Sequence, residues 1–305
     1  MNQWIETRNL FYDKNTWTKT ELARESALSL AGLTKHLAKL LEHGDIICPG
    51  VAGSTGGRPS KRYVLNPDRS HILCVMLQKQ ALECLSYRIL ALDGNVVEEE
   101  RVESGQITLD FLLECIGRAC LRDPLVDLVV LSFPGVCSHG VLEVGDLKQL
   151  LGVDLKAAIE ARFSVECRIE NDVNCACIGY ARARRCANVA FLFLPENAPV
   201  GCGLVLNGRL YNGHRHFAGE LRYLPFEPRS IDRFVETLAC VVAPAVIAIF
   251  DETGVRAAIH WRTVPLSYRP CLDWVPDMAP FVWDGLFTIA IDALKKRTME
   301  RKEDL

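Results

Sequence analysis

The sequence lacks the segments that would direct a chain into a membrane or out of the cell. Its longest apolar run, Leu238–Phe250, contains Pro244 and falls short of the ~18 residues that cross a bilayer. The N-terminal residues show no basic stretch followed by an apolar one, which is the pattern of a secretory signal peptide. We therefore expect a cytoplasmic protein without a membrane partner.

An overall excess of basic charge is also missing. The 35 Lys and Arg residues are outnumbered by 38 Asp and Glu residues, which gives a net charge of −3. A protein that coats nucleic acid over its whole surface is usually more basic, whereas a small basic module on an acidic body remains compatible with this balance. The 305 residues are 49% apolar and 24% charged, which excludes general disorder and fits about two domains.

Cysteine is abundant, but the 13 cysteines lack the arrangement of a disulfide framework or a zinc site. Their number is odd, and no second pair lies at zinc-finger spacing from Cys175 and Cys177. We expect most of them to be small buried apolar residues and expect no metal site. Patterns for a nucleophile elbow and a P-loop are absent as well, so the sequence gives no catalytic residue and no cofactor.

Residues 1–66 differ from the rest in charge. They hold nine Lys or Arg and six Asp or Glu, a net +3, which leaves −6 on the remainder. Attraction for phosphate is therefore concentrated at this end. We predict a first domain at 1–66 and a body divided into lobes at 67–185 and 186–305.

The pattern within 1–66 predicts three helices. The first covers residues 3–13, the second begins with Thr20 as its N-cap, and the third follows Ser29, another good N-cap. Apolar side chains of the third helix recur at i, i+4, i+7 and i+8, which places them on one buried stripe. The members of this stripe are Leu33, Leu37, Leu40 and Leu41. Two short helices joined by the three-residue turn Ala27–Ser29 form a helix-turn-helix.

The third helix leaves a face that suits a DNA major groove. Its exposed side chains are predicted to contact base edges and phosphates. They are Leu30, Ala31, Thr34, Lys35 and His36. Two strands, 45–49 and 61–65, flank a glycine-rich loop in which Gly57 allows close backbone approach and Arg58 suits a narrow minor groove. This arrangement predicts a winged helix-turn-helix; a helical dimerisation or protein-docking module is the alternative.

The remainder of the chain alternates strands and crossover helices, which predicts an α/β body of two lobes. The predicted strands are 72–77, 83–91, 95–102, 126–133, 167–170, 188–194, 203–206 and 209–211. The predicted helices are 107–121, 153–163, 172–184 and 231–250, and the charged run 295–304 is predicted to be a solvated helical tail.

These segments together resemble one family. The stretch TELARESALSLAGLTKHLAKLLEHGDI followed by STGGRPSKRYVLNP is similar to the DNA-binding end of the ROK family (repressors, open reading frames and kinases). The body continues the resemblance in order, with FPG at 133–135, END at 170–172, VLNGRLYNG at 205–213 and AGE at 218–220. The resemblance implies a two-lobed, actin-like or ribonuclease-H-like body of the sugar-kinase type.

The resemblance also implies where the chain departs from the kinases of the family. Those kinases hold ATP phosphates on two glycine-rich turns. Here the first corresponds to CVMLQKQALECL, which has no glycine, and the second to Asn197–Ala198–Pro199–Val200–Gly201. Added side chains and the missing N–H of Pro199 remove the backbone cradle that phosphate oxygens require. We therefore expect no enzymatic activity.

The resemblance implies that part of a sugar pocket is kept. The family's Asn-Asp pair matches Asn171 and Asp172, of which the Asp is the general base in the kinases, and the AGE glutamate matches Glu220. Tyr223 replaces a histidine used for sugar and zinc, and the zinc loop that follows it is absent. Asn171, Asp172 and Glu220 are predicted to contact a sugar or sugar-phosphate effector, while the alternative is that Asn171 and Asp172 only cap the following helix.

The sequence thus favours a transcriptional regulator, in the branch that resembles the xylose and N-acetylglucosamine repressors. Its expected partners are duplex DNA with a palindromic operator, another copy of the chain in a homodimer or higher oligomer, and a sugar-like effector. A ROK sugar kinase with unusual nucleotide contacts is the second hypothesis. A scaffold whose winged helix docks protein is the third.

Overall fold

The structure of the protein is a computed structural model that describes residues 3–13, 16–51, 60–79, 82–138, 140–227 and 230–300. Its N-terminal part combines three helices with a small antiparallel sheet of strand order β1-β3-β2. The elements are α1 (Gln3–Asp13), β1 (Thr16–Thr18), α2 (Lys19–Ser26), α3 (Leu30–Glu42), β2 (Ile46–Val51) and β3 (Lys61–Leu65).

The helices of this part begin where side chains satisfy their first amide groups. Thr18, rather than the predicted Thr20, caps α2, because Thr18 and Glu21 form a reciprocal capping box. Ser29 caps α3 as predicted and accepts a hydrogen bond from the Gly32 amide at 3.1 Å. Three residues separate α2 from α3, in agreement with the sequence.

The leucine stripe of α3 forms most of the contact with α1 and α2. Leu33, Leu37 and Leu40 are buried against Phe11 and Leu22. Leu41 does not belong to the stripe as predicted, since 39% of its surface is exposed. A helix turns by about 100° per residue, so the side chain of Leu41 is rotated about 100° around the helix axis from the buried side chain of Leu40.

The first lobe contains a five-stranded sheet of order β10-β7-β4-β5-β6 and a separate β8–β9 hairpin. Strands β4, β5 and β6 are antiparallel neighbours, whereas β7 and β10 run parallel to β4. The strands are β4 (His71–Lys79), β5 (Glu83–Ala91), β6 (Val96–Ser104), β7 (Val126–Phe133), β8 (Gly135–Ser138), β9 (Val141–Gly145) and β10 (Glu166–Asn171). The helices are α4 (Leu109–Arg122), α5 (Leu155–Phe163) and α6 (Asp172–Ala183).

The second lobe repeats this connectivity around a sheet of order β13-β12-β11-β14-β15. Again three strands are antiparallel neighbours and two more add in parallel. Its elements are β11 (Val189–Leu194), β12 (Gly201–Leu206), β13 (Arg209–Leu210), α7 (Ile231–Val241), β14 (Val246–Asp251), β15 (Cys271–Trp274) and α8 (Ala279–Glu300). The repeated pattern of three antiparallel strands and two crossover strands is the two-lobed architecture that the sequence predicts.

The predicted helix over 231–250 is wrong. The structure ends α7 at Val241, turns at Ala243 and Pro244, and uses Val246–Asp251 as a buried strand parallel to β11. Pro244 cannot donate a helical hydrogen bond, and a short apolar run fits a buried parallel strand as well as a helix. The hairpin β8–β9, strand β15 and most of α8 escaped the sequence analysis.

Helices α6 and α8 pack between the sheets in backbone contact. An added Cβ on Gly179 would overlap the Phe281 carbonyl oxygen, and one on Gly285 would overlap the Cys175 carbonyl oxygen. The predicted solvated tail 295–304 is wrong for its first residues, while residues 301–304 lie outside the described residues. Lys295 pairs with Asp13 of α1 at 2.5 Å, and Arg297 pairs with Asp127 and Glu166.

Candidate functional site

Helix α3 presents a polar face that no other described element covers. Leu30 is 55% exposed, and Ala31, Thr34 and Lys35 are exposed as well. The structure therefore places four of the predicted contact residues together near the beginning of one helix. Single exposed apolar side chains are common on protein surfaces, so Leu30 is informative only together with the other residues of this face.

The hydroxyl of Thr34 is occupied within the protein. It donates to the Leu30 carbonyl oxygen at 2.6 Å and accepts a hydrogen bond from the Lys19 ammonium. The methyl group of Thr34, rather than its hydroxyl, is thus left for an outside partner. Lys19 adds a cation to this face. It was not among the predicted contact residues, because α2 was predicted to begin after an N-cap at Thr20.

His36 differs from the other predicted contact residues. It is half-buried, and its Nδ1 lies 3.2 Å from the hydroxyl oxygen of buried Thr7 in α1. Lys39 also contacts α1, since its ammonium lies 4.4 Å from the ring centroid of Trp4. Both side chains therefore support the packing of α3 on α1. Gly57 and Arg58 lie outside the described residues, between strands β2 and β3.

A cleft of about 570 Å³ lies between the two lobes. The first lobe contributes the β8–β9 hairpin and the junction of β10 with α6, while the second contributes the segments 195–202 and 216–222. Asn171, Asp172 and Glu220, which come from distant parts of the sequence, all line this cleft.

Asn171 uses both ends of its amide inside the protein. Its Oδ1 caps α6 by accepting from the Asn174 amide at 3.0 Å, and its Nδ2 donates to the Gly135 carbonyl oxygen at 2.7 Å. The capping role considered for Asn171 is therefore present. The bond to Gly135 also fixes the β8 strand against the beginning of α6 at the base of the cleft.

Asp172 is the acidic group of the cleft with the largest change in acidity. Burial raises its pKa from an ordinary value of 3.8 to about 7, and the nearby Asp146 carboxylate acts in the same direction. A hydrogen bond from the Val173 amide at 2.8 Å opposes the shift. A carboxyl group with a pKa near neutral can take up or release a proton. It can also donate a hydrogen bond to a hydroxyl group when protonated, or accept one when ionised.

Two other acidic groups of the cleft have partners within the protein. Glu220 accepts a hydrogen bond from Arg222 Nε at 2.9 Å. Glu170, which the sequence analysis passed over, accepts from Asn174 Nδ2 and from the Asn171 amide, both at 2.9 Å, and burial raises its pKa. Basic residues that were not among the predicted site residues also line the cleft: Lys148, Lys156, Arg168 and His216.

A scan with the family model for ROK proteins matches residues 85–240, slightly more than half of the chain. The chain belongs to the ROK family. Motif residues of the cleft, including Asn171, Asp172 and Glu220, lie inside the matched range.

Named relatives of this ROK chain include repressors. It is 21% identical over 223 residues to a xylose repressor of Bacillus spizizenii, covering 69% of this chain and 56% of the relative. It is 25% identical over 248 residues to the DNA-binding transcriptional dual regulator NagC of Escherichia coli, covering 77% of this chain and 60% of the relative. The matched part thus spans less than two thirds of these relatives.

Solved structures confirm the fold of the body. A ROK family transcriptional regulator, a homolog of the E. coli MLC protein, superimposes with a TM-score of 0.65 and 17% identity over 95% of this chain and 98% of that chain. A ROK hexokinase from Thermus thermophilus gives a TM-score of 0.53 and 15% identity over 72% and 99%. The mixed α/β body therefore has the two-lobed sugar-kinase-type fold.

The two segments that the family resemblance matches to the phosphate turns of ROK kinases make contacts within this chain. In the β4–β5 hairpin, Lys79 pairs with Glu83 at 2.8 Å, and Glu83 also accepts from the Ile107 amide at 2.5 Å. None of the hairpin residues that the structure describes lines the cleft. Gln80 and Ala81 lie outside the described residues.

At the second segment, the remaining glycines serve close packing. A Cβ on Gly201 would lie 2.8 Å from Val173 Cγ2, and a Cβ on Gly203 would lie 2.7 Å from the Val173 carbonyl oxygen. These positions need glycine because β12 lies directly against the beginning of α6. Their retention is therefore explained without a phosphate.

In the part of the chain that the structure describes, we find no group of three His, Cys, Asp or Glu side chains arranged to hold a metal ion. Seven of the 13 cysteines are buried, and all 13 are free thiols. Among the same residues, no helix has both the length and the apolar character of a membrane span.

Replacing Asp172 with asparagine should change the pH dependence of stability. Between about pH 4 and 7 the folded chain keeps a proton on Asp172 that the unfolded chain loses, so the free energy of unfolding falls as pH rises. Asp172→Asn removes this penalty and should raise the free energy of unfolding by about 1–3 kcal/mol at about pH 8, with little change near pH 4. Urea unfolding at the two pH values measures the effect.

The control is Asp110→Asn, which changes an exposed aspartate in the first turn of α4. It should alter stability by less than about 0.5 kcal/mol at either pH. If Asp172→Asn is no more stable than the original chain at the higher pH, the carboxyl group is not penalised by burial.

Proposed function

We propose that this ROK chain is a sequence-specific DNA-binding transcriptional regulator, acting as a repressor, whose sugar-kinase-type body is non-catalytic. The observation that carries this proposal is the exposed face of α3. It joins an exposed leucine, small side chains and Lys35 on the second helix of a helix-turn-helix, with Lys19 of α2 beside them. The repressor names of several relatives support the same function.

In this proposal the N-terminal part is a winged helix-turn-helix. The beginning of α3 enters the major groove, where Leu30, Ala31 and the Thr34 methyl group contact base edges and Lys35 contacts a base or a phosphate. Lys19 reinforces the same side of the interface. The antiparallel strands β2 and β3 carry the wing, on which Gly57 and Arg58 reach the adjacent minor groove.

The charge distribution supports this orientation on DNA. Residues 1–66 carry a net +3, whereas the body carries −6. Phosphates therefore attract the N-terminal part and repel the body, so that the module approaches the duplex first. A docking module for another protein would not require this separation of charge, and the scaffold hypothesis is accordingly less well supported.

We also infer that the chain binds as a homodimer, or as a higher oligomer built from dimers. One winged helix reads too few base pairs for useful specificity, and a two-fold dimer matches a palindromic operator. Half-sites should lie about one helical turn apart, or a multiple of it.

The interlobe cleft supplies an effector site in this proposal. Asp172 and Glu220 accept hydroxyl hydrogens of a sugar, Asn171 holds the floor of the cleft, and the basic lining residues accommodate a phosphate if the sugar carries one. Some relatives are named xylose repressor or N-acetylglucosamine repressor, which agrees with a sugar-like ligand. A sugar bound in the cleft changes DNA affinity only if the body has two conformations, one that favours DNA binding and one that does not, and the sugar binds them with different affinities.

Genome-wide footprinting of the chain in its host tests the proposal. We expect a small set of protected sites that share a palindromic sequence. Protection that is uniform along the chromosome, or absent, would contradict sequence-specific regulation. Footprints that disappear when a sugar is supplied would identify the effector as well.

A sugar kinase is the second candidate, and the acidity of Asp172 is the observation that favours it, since a carboxyl group with a pKa of about 7 suits a general base. We nevertheless expect no turnover. Phosphoryl transfer depends on positioned phosphates, and Pro199 and Ala198 stand where the kinases of the family place glycine-rich backbone. A coupled ADP-release assay over hexoses and acetylated hexosamines, with calorimetry for ATP, should give only background.

The decisive control for this assay is Asp172→Ala. Turnover that exceeds background and is lost in this variant would make the kinase the better account. Background turnover that is the same in both chains agrees with a non-catalytic body.

A further inference from the structure

Two aromatic side chains of the second lobe are exposed and in contact with each other. The ring centroids of Phe217 and Tyr223 lie 5.2 Å apart, with the ring planes tilted by 31°. The two residues are 55% and 63% exposed. One exposed ring would carry little information, but two large rings that share one surface form an apolar patch. We call this pair the aromatic platform; neither ring takes part in the proposed contacts with DNA or with the sugar.

The aromatic platform adjoins the interlobe cleft. His216 and Arg222, which directly precede the two aromatic residues in the sequence, both line the cleft. The guanidinium carbon of Arg222 lies 5.8 Å from the centroid of the Tyr223 ring, and Arg222 Nε lies 2.9 Å from the carboxylate of Glu220, another lining residue. The Tyr223 ring is therefore about one side chain away from the cleft.

The backbone that carries the aromatic platform is fixed in place. The Ala218 amide donates to the Asn212 carbonyl oxygen at 3.0 Å, which closes a compact turn before the AGE motif. A Cβ on Gly219 would overlap the Cys202 carbonyl oxygen, so this part of the chain lies directly on β12. The two rings are thus held next to the cleft before any ligand binds, and binding costs little reorganisation.

The groups around the aromatic platform suit a sugar ring. One face of a pyranose presents mainly C–H groups, which pack against aromatic rings, whereas its edge carries hydroxyl groups that need polar partners. The platform supplies the apolar surface, and the Glu220–Arg222 pair beside it supplies an acceptor and a donor. A wholly apolar partner would remove water from this ion pair without replacing its hydrogen bonds, which disfavours such a partner.

We propose that the effector is a disaccharide or a longer glycoside. One sugar ring occupies the cleft against Asp172 and Glu220, and the next ring stacks on the aromatic platform. The proposal rests on the sugar site of the proposed function and adds a second subsite to it. A monosaccharide in the cleft would leave the platform uncovered.

Calorimetry with the full chain, carried out without DNA, compares each of three monosaccharides with its disaccharide. The pairs are xylose and xylobiose, glucose and cellobiose, and N-acetylglucosamine and diacetylchitobiose. We expect at least one disaccharide to bind at least about tenfold more tightly than its monosaccharide, because the second ring buries additional apolar surface. Equal affinities within every pair, or no binding of any of the six sugars, would overturn the proposal. Operator binding is measured separately, so either result leaves the DNA-binding function to its own test.

Substitutions in the aromatic platform separate the two subsites. Phe217→Ala and Tyr223→Ala should each weaken the disaccharide at least about fivefold and change the affinity for the monosaccharide less than about twofold. Tyr223→Phe keeps the ring and should bind the disaccharide as the original chain does. The matched control is Tyr268→Ala, because Tyr268 is 76% exposed in the same lobe and precedes β15. Strand β15 lies three strand spacings, roughly 14 Å, from β12, so this change should leave both affinities unaltered.

Two results with these variants would overturn the proposal. The first is a loss for the monosaccharide as large as the loss for the disaccharide, which would mean that the rings only support the cleft. The second is a change from dimer to monomer when the sugar-free alanine variants are sedimented, which would make the aromatic platform a contact between two copies of the chain.

Discussion

Replacing Gly285 with alanine is expected to lower the free energy of unfolding by roughly 3–4 kcal/mol. The added methyl group would overlap the Cys175 carbonyl oxygen, and its next contacts are the Cys175 carbonyl carbon at 2.6 Å and Cα at 2.9 Å. Backbone atoms of Cys175, near the beginning of α6, cannot move aside as a flexible side chain can. Helices α6 and α8 must therefore separate, which opens the core that both sheets share.

This loss is large because a typical domain is stable by only about 5–15 kcal/mol. The matched control is Gly32→Ala in α3, where the new methyl group would meet Ser29 Oγ at an ordinary 3.4 Å. Alanine is the better helix former, so the control should be neutral or stabilising by up to about 1 kcal/mol. Urea unfolding compares the three chains, and equal midpoints for Gly285→Ala and the original would refute the backbone contact between α6 and α8.

Separation of these helices should also disturb the N-terminal part. The end of α8 contacts α1 through the Lys295–Asp13 pair, and it is fixed to the first lobe through Arg297. Helix α6 begins at the cleft with Asp172. Packed contacts thus connect the cleft to α1 through α6 and α8.

Removing the cations of the proposed DNA interface should lower operator affinity strongly. Arg58→Ala and Lys35→Ala are each expected to weaken binding about 10–100-fold, because a side chain that contacts base edges contributes about 1–3 kcal/mol. The double variant should lose about the product of the two effects if the contacts are independent. Fluorescence anisotropy at one fixed salt concentration measures the losses, since the phosphate contribution varies with salt.

Lys39→Ala is the matched control because it removes one positive charge from the same helix. Its ammonium lies over the Trp4 ring, away from the exposed beginning of α3. We expect less than about a threefold loss of affinity, along with a small loss of stability from the missing cation–π contact. Equal losses for Arg58→Ala and Lys39→Ala would contradict the wing, and equal losses for Lys35→Ala and Lys39→Ala would contradict the assignment of the α3 face.

Local signals in the sequence predicted the elements of this fold well. Ser29 caps α3 as expected, and Leu33, Leu37 and Leu40 are buried, because caps and periodic stripes depend on neighbours within one or two turns. The sequence predicts Thr20 as the cap of α2, whereas Thr18 is the cap in the structure. Both are good cap residues, and only the capping-box partner of Thr18, Glu21, distinguishes them.

Long-range features were less accessible from the sequence. The run 238–250 is apolar, and only its place beside β11 makes 246–251 a strand. Asn171, Asp172 and Glu220 all line the cleft, and their contact with an effector stays a prediction. Glu170 and the basic lining residues were missed because their position depends on how the two lobes pack, which no short pattern records.

The central claim, that this ROK chain reads DNA sequence, is tested most directly by selection from a library of random duplexes with the purified full chain. We expect enrichment of one palindrome with half-sites about one helical turn apart, or a multiple of it. The chain should also sediment as a dimer on the selected duplex. We also expect that Lys35→Ala carried through the same selection loses the enrichment. A chain that enriches no sequence, or that remains monomeric on its selected duplex, would contradict sequence-specific DNA binding by a dimer.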